Sequence, residues 1–427
     1  MISFTIWGLS EHAWYTILVI LAMFWSLIFT KIRTEAAFIM AITALLVGDV
    51  LTGKEAFAGF SATSVVVVGV LYVVIAGLTY TGVLNWVVKN LMGLPKTLSG
   101  AIARLMFPVA LLSSVLSNTT VVALFINVVR MWAKKLGIAP SKLLIPLSYA
   151  SGMGGICTII GTPPNLIISG MYADETGQQM SILAPTIPGI VCLLVGVLSM
   201  IAMQKMLPVR AYYDGNEGNK ADNQDETENI VVGRKTIISS LILLAMVVLS
   251  AFNVLPLLTC CLIAACAMVI FKCCNTKQAL DAINWNILIV FAGSVAIGQS
   301  IENTGIAERI AHELLSICGT NPYVVLFTMC FAATFITEFI SNTAAGAMFY
   351  PIALSSAQAL GVNPMPFLIA LMIAASSSFA TPIGSPTHML VYGPGGYRFT
   401  DFVKVGVLMN IIILIANVFI TTLIYPF

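Results

Sequence analysis

The sequence predicts an all-α polytopic membrane protein: an inverted repeat in which each half holds five transmembrane helices and one re-entrant hairpin. Three observations predict it. First, 59% of residues are hydrophobic and 9% charged, with a mean hydropathy of +0.98, far from the balance of water-soluble domains. Second, a short polar stretch set in apolar sequence, Leu116-Ser117-Asn118-Thr119-Thr120, recurs 224 residues later as Ile340-Ser341-Asn342-Thr343-Ala344. Third, other pairs keep nearly the same spacing. Lys54 and Lys277, Thr81-Gly82 and Thr304-Gly305, and Ile160-Gly161-Thr162-Pro163 and Ile383-Gly384-Ser385-Pro386 all stand 223 apart.

The spans follow from apolar length. In the first half they run from about Trp14 to Thr30, Ala36 to Leu51 and Val65 to Tyr80. A hairpin at about 101–133 follows, then a broken span from Leu143 to Ser169 interrupted at Gly161-Thr162-Pro163-Pro164-Asn165, and a last span from Ile182 to Met206. The second half repeats the plan: Ile237 to Phe252, Leu257 to Phe271, Asn286 to Ser300, a hairpin at about 324–360, a broken span from Phe367 to Val391 interrupted at 380–386, and Val405 to Ile424. The apolar runs flanking each Ser-Asn-Thr are too short to cross twice, since one crossing needs roughly 20 residues. Each pair therefore reads as a re-entrant hairpin with Ser-Asn-Thr at its tip. Residues 83–94 and 306–317 occupy matching positions and read as short interfacial helices.

Three regions result: a first repeat over 1–210, a hydrated linker over 211–235, and a second repeat over 236–427. The linker carries Asp214, Glu217, Asp222, Asp225, Glu226 and Glu228, six of the chain's 18 acidic residues. Lys89, Lys96 and Arg104 precede the first hairpin, and Arg130, Lys134, Lys135 and Lys142 follow it. The positive-inside rule puts that hairpin's mouth in the cytoplasm. Threading from there places the linker inside, the second hairpin's mouth outside, and both termini outside.

Composition also excludes functions. A net charge of +2 without a basic face argues against a nucleic-acid partner. The nine cysteines sit mostly in apolar segments, and the adjacent pairs Cys260-Cys261 and Cys273-Cys274 lack zinc-ligand spacing, so they read as packing residues. Residues 1–14 carry Glu11 and His12 and no basic stretch, unlike a cleavable signal. Three histidines without a His/Glu cluster give an enzyme no metal site or general base. A channel needs a continuous polar pore, against which paired dead-end hairpins argue.

An uncharged tip inside a membrane can hold ions of either sign. Asparagine, serine and threonine donate and accept, and the helix leaving each tip begins near Asn118 or Asn342, offering its positive N-terminus to an anion. Unwound carbonyls at Gly161 and Ala380 suit a small hard cation. Taken singly, each motif also reads as a helix cap or a proline kink; its duplication in both halves favours a site. Glu338, three residues before Ser341, either relays a proton or is a hydrogen-bonded structural group.

Together Ser117-Asn118-Thr119, Ser341-Asn342-Thr343, Gly161-Thr162-Pro163-Pro164-Asn165, Ala380-Thr381-Pro382 and Glu338-Phe339-Ile340 resemble the divalent anion/sodium symporter family over nearly the whole chain. The stretch 389–402, with Tyr392-Gly393-Pro394-Gly395-Gly396-Tyr397, resembles the subgroup that usually carries regulatory domains in the central loop; here the linker stands in their place. The resemblance implies sodium-coupled uptake of C4-dicarboxylates or citrate by an elevator mechanism, in a homodimer embedded in the lipid of a bacterial inner membrane. Sulfate, anion exchange and proton coupling stay open as alternatives. It implies a first sodium site at Ser113, Ser117, Asn118 and Gly161, and a second at Thr337, Ile340, Asn342 and Ala380. It implies an anion site lined by Ser117, Asn118, Thr119, Ser341, Asn342, Thr343, Thr162, Thr381 and Pro382. Gly161 and Ala380 do not occupy matching repeat positions. The second broken span has His388 where the family pattern expects asparagine, while Asn165 is kept in the first. Histidine there either binds anion or proton or is a tolerated polar replacement.

Because the linker reads as a solvated tether, deleting Asp214 to Glu228 is expected to leave transport intact in reconstituted vesicles. Lost flux at normal expression would give the segment a regulatory or assembly role.

Overall fold

The computed structural model describes residues 10–30, 32, 34–82, 95–210, 233–251, 254–283, 285–382 and 384–427, and among these every regular element is a helix. The interfacial helix expected at 83–94 and nearly all of the linker lie outside the described residues.

The first half comprises α1 (Glu11–Phe29), α2 (Thr34–Val47), α3 (Gly53–Ser61) and α4 (Thr63–Tyr80), the hairpin arms α5 (Leu98–Ser113) and α6 (Asn118–Leu136), the broken pair α7 (Ser141–Gly155) and α8 (Pro163–Thr176), and α9 (Thr186–Ala202). The second half holds α10 (Arg234–Ala251), α11 (Leu257–Ile270), α12 (Thr276–Asp281), α13 (Trp285–Asn303), α14 (Ile306–Cys318), the hairpin arms α15 (Pro322–Ile336) and α16 (Asn342–Leu360), the broken pair α17 (Met365–Ala375) and α18 (Pro386–Tyr392), and α19 (Phe399–Ile424). The starts of α1, α2, α3 and α8 recur 223 residues later, at 234, 257, 276 and 386, and those of α5, α6 and α7 recur 224 later, at 322, 342 and 365. The first described helix after the linker begins at Arg234.

The runs Gly53–Tyr80, Thr186–Lys205 and Phe399–Ile424 are long and apolar enough to cross a membrane. The hairpin arms α5 and α15 are not. With 16 and 15 residues they reach about 24 and 22 Å, short of a core roughly 30 Å thick.

Packing exchanges the halves. α4 lies on α11 and α13 on α2, while α6 packs against α18 and α16 against α8, so each tip's exit helix leans on the broken span of the other half. α9 and α19 pair with one another. One contact breaks the symmetry: α13 lies along α16, whereas α4 lies along α8.

Both breaks open earlier than the proline motifs indicate. α7 stops at Gly155 and α17 at Ala375, leaving 156–162 and, among the described residues, 376–382 and 384–385 outside α-helix. Gly154-Gly155 and Ser376-Ser377-Ser378 are poor helix formers, and the prolines at 163 and 386 then start the next helix, where a missing N–H costs nothing. Glycines let helices approach these breaks. A Cβ on Gly406 would fall 2.0 Å from Phe379 O, and one on Gly189 would fall 2.8 Å from Cys157 Cα.

The Tyr392–Tyr397 motif is a bracket. Its Gly396 takes a left-handed turn (φ 61°) that brings the Tyr397 hydroxyl under α7, where it donates to Ser141 O and accepts from Ile145 N–H at 3.1 Å. Beside it, Arg210 forks onto Asp401 at 2.9 and 3.2 Å, fastening the end of the first half to α19.

Gly406→Ala is expected to lower the thermal unfolding temperature in detergent by several degrees, an overpacking cost of about 1–3 kcal/mol. Gly393→Ala, at φ −65° with no atom within 4 Å, is the control and should leave it unchanged. Equal melting of the two variants would contradict the close approach.

Candidate functional site

Both Ser-Asn-Thr tips face one cavity of about 350 Å3. Four short segments line it: Ser117-Asn118-Thr119, Ser341-Asn342-Thr343, Ile160 to Pro164, and Ser385-Pro386-Thr387. The starts of α6, α8 and α16 therefore converge there, and their N-terminal dipoles favour negative charge in the space between them. The opposite wall is α4 (Val68, Leu71, Tyr72, Ile75) with Glu35 of α2 and Asn286 and Val290 of α13. Among the described lining residues no side chain carries positive charge, and Glu35 alone carries negative charge.

Behind each tip lies a cluster of neutral oxygens. In the first, Ser113 Oγ meets Ser151 Oγ at 2.9 Å, and Ser151 Oγ donates to Asn118 O at 3.1 Å. Asn118 Oδ1 accepts from Ser113 Oγ at 2.5 Å, and the same corner of the amide lies 3.2 Å from Gly161 O and 3.3 Å from Ser151 O. Glycine makes room for it: a Cβ on Gly155 would fall 2.7 Å from Asn118 Oδ1. In the second cluster, Asn342 Oδ1 accepts from Thr337 Oγ1 at 2.9 Å and from Ser378 Oγ at 3.0 Å, and Thr337 Oγ1 also lies 2.8 Å from Ala375 O. Hydroxyl, amide and carbonyl oxygens without charge fit a small hard monovalent cation. Ser113 and Thr337 are fully buried and lie behind the tips rather than on the cavity.

The two clusters share a clasp. Thr158 Oγ1 donates to Ser114 O and accepts from Gly161 N–H at 3.1 Å. At the matching positions, Thr381 Oγ1 donates to Glu338 O at 2.7 Å and accepts from Gly384 N–H at 3.0 Å. In this register Gly384 answers Gly161, and Ser385-Pro386 answers Thr162-Pro163.

Ala380 sits four residues before Gly384, and its N–H donates to Glu338 Oε1 at 2.8 Å. Of the described residues of this loop, Ser385 and Pro386 are among those lining the cavity, and Thr381 and Pro382 are not. Ile340 is buried beside the tip, its N–H on Ile336 O at 3.3 Å. Ser341 caps α16 through Ala344 N–H at 3.2 Å, whereas the Ser117 side chain makes no cap bond.

Glu338, 5% exposed, faces three donors. Oε1 accepts from Ala380 N–H at 2.8 Å and Asn410 Nδ2 at 2.5 Å, and Oε2 accepts from Thr381 N–H at 2.7 Å. His388, 2% exposed, donates from Nε2 to Ser378 O at 2.8 Å, which fixes the proton on that nitrogen because a carbonyl only accepts. Its Nδ1 is held by the Ser148 hydroxyl. Ser148, Ser151, Ser378 and Asn410 were missed by motif reading. Their one signal is polarity inside otherwise apolar helical sequence.

Paired polar hairpin tips meeting on one cavity, in an apolar chain whose described regular elements are all helices, point to a membrane transport protein rather than an enzyme. The chain belongs to the citrate transporter family, which it matches over residues 20–312 and 247–427. An uncharacterized transporter of Synechocystis is 24% identical over 91% of this chain and 93% of its own length. The sodium-dependent dicarboxylate transporter SdcS of Staphylococcus aureus is 25% identical over 67% of this chain and 59% of its own length, in keeping with the resemblance to divalent anion/sodium symporters. In fold, the chain is similar to the YdaH transporter of Alcanivorax borkumensis (TM-score 0.60, 13% identity, 96% and 97% coverage). It is likewise similar to MtrF of Neisseria gonorrhoeae (TM-score 0.62, 14% identity, 96% and 93% coverage).

Proposed function

We propose that the protein is a secondary active transporter that carries a small divalent anion, a C4-dicarboxylate or citrate, together with sodium ions. The observation that carries this reading is the meeting of both tips on one cavity without a lysine or arginine, each tip backed by neutral oxygens. A dianion there meets helix N-termini and hydroxyls but no countercharge on a side chain. Its desolvation cost is high, so cations must accompany it. Ser113, Asn118, Ser151 and Gly161 would hold one sodium ion, and Thr337, Asn342, Ser378 and the Ala375 carbonyl another. Thr119, Thr162, Thr343 and Ser385 would receive the anion with the two asparagines. Glu338 and His388 have their polar atoms occupied by protein partners, which favours sodium over a proton as the coupling ion.

In this reading the halves are inverted, both termini lie outside, and hairpins, broken spans, α9 and α19 form a transport body sliding against a dimeric scaffold. The asymmetric contact fits a cytoplasm-facing state. α13 covers α16 of the outward-opening hairpin, while α6 of the inward-opening one has no comparable contact with α4 among the described residues.

Asn118→Ala and Asn342→Ala are each expected to fold, insert and abolish counterflow of succinate and citrate in sodium-loaded proteoliposomes, with sulfate as a third arm of the panel. Wild-type counterflow in either folded variant would contradict the assignment. Sulfate exchange without organic-anion exchange would move the substrate to the inorganic class.

A further inference from the structure

The two oxygen clusters are held to very different degrees. In the second break, five backbone groups between Ser378 and Thr381 have side-chain partners from elsewhere. Ser378 O takes His388 Nε2 at 2.8 Å, Phe379 N–H donates to Asn410 Oδ1 at 3.1 Å, and Phe379 O accepts from the Tyr149 hydroxyl at 2.6 Å. Ala380 and Thr381 N–H then go to the two oxygens of Glu338. Four elements thus grip this loop: α18, α19, α7 and the second hairpin. In the first break the amides matching Phe379 and Ala380 make only local turns, Ile156 to Gly152 O and Cys157 to Gly154 O, and the long-range bond of this loop's amides is Ile159 N–H to Ile182 O at 3.0 Å. The counterpart of Glu338 is Ser114, whose hydroxyl turns back to Leu111 O at 2.8 Å. The counterpart of His388 is Asn165, which donates to Thr158 O at 2.8 Å and leaves a fully buried Oδ1 without a partner.

Both tip asparagines turn an oxygen into their clusters, Asn342 held by two side-chain hydroxyls and Asn118 by one, so the main difference lies in the loops behind them. A site whose ligands stand in place binds without the cost of ordering them.

Resting on the sodium-coupled reading above, we propose that Glu338 and His388 are positioning residues that hold the second cluster preformed, so that a cation enters there first. The first cluster, whose loop has no such grip, fills only afterwards, with the anion. Neither residue touches the cation. Glu338 fixes the loop on which Ser378 stands, and His388 fixes Ser378 through its carbonyl.

The test is sodium-dependent thermal stabilisation of purified protein at constant ionic strength, choline replacing sodium, first without anion and then with succinate. The readout is the sodium concentration at half-effect, which a general loss of stability does not move. Wild type is expected to show one sodium step without anion and a second step with it. Glu338→Gln, which sets one amide oxygen against three donors, and His388→Asn should each weaken the first step by about tenfold or more, as second-shell changes at metal sites do. Ser151→Ala should weaken only the anion-dependent step. A first step unchanged in both Glu338→Gln and His388→Asn, or weakened equally by Ser151→Ala, overturns the proposal while leaving sodium coupling intact. A wild-type protein indifferent to sodium in both buffers overturns the coupled reading itself, and this proposal with it.

Discussion

Unwound backbone buried at the depth of a membrane must find hydrogen-bond partners within the protein, and most of the site's architecture answers that demand. Water is absent there, and each orphaned peptide group costs several kcal/mol. The breaks at 156–162 and, among the described residues, at 376–382 and 384–385 are tolerated because the Thr158 and Thr381 clasps bind each loop to the carbonyl before its hairpin tip. In the second half Glu338, Asn410, Tyr149 and His388 complete the set. The same demand explains Gly154, Gly189 and Gly406. Each lets a neighbouring helix come close enough that backbone meets backbone, where a Cβ would collide.

Once the loops are secured, their remaining oxygens face inward and become the chemistry. Two neutral clusters stand behind the tips, and the tips stand around one cavity. In the proposed reading the charge of a bound dianion is balanced by co-bound cations, so affinity for anion and affinity for cation would rise together.

Much of this was legible in the sequence. The two Ser-Asn-Thr tips, the helix starts at Asn118 and Asn342, and the proline restarts at 163 and 386 follow from local rules of helix initiation, which depend on a few neighbouring residues. The spacing of 223 to 224 residues located the counterparts. What sequence could not give was long-range partnership. Glu338 was open between proton relay and structural group until its three donors, from residues 380, 381 and 410, were seen around it. Ala380-Thr381-Pro382 matches the ligand motif in letters, while the repeat spacing pairs Gly161-Thr162-Pro163 with Gly384-Ser385-Pro386, whose Ser385 and Pro386 line the cavity. Ser151 lies on α7 and Ser378 in the second break, both in sequence that reads as plain apolar packing, and only the fold carries them to the asparagines.

The most direct measurement is anion binding by the purified wild-type protein at fixed pH, followed calorimetrically in sodium-rich and sodium-free buffers of equal ionic strength. If neutral clusters behind the two tips couple cation to anion, succinate or citrate binds at least several-fold more tightly in sodium. Equal affinity in the two buffers would contradict the account and leave protons or counter-anions to balance the charge.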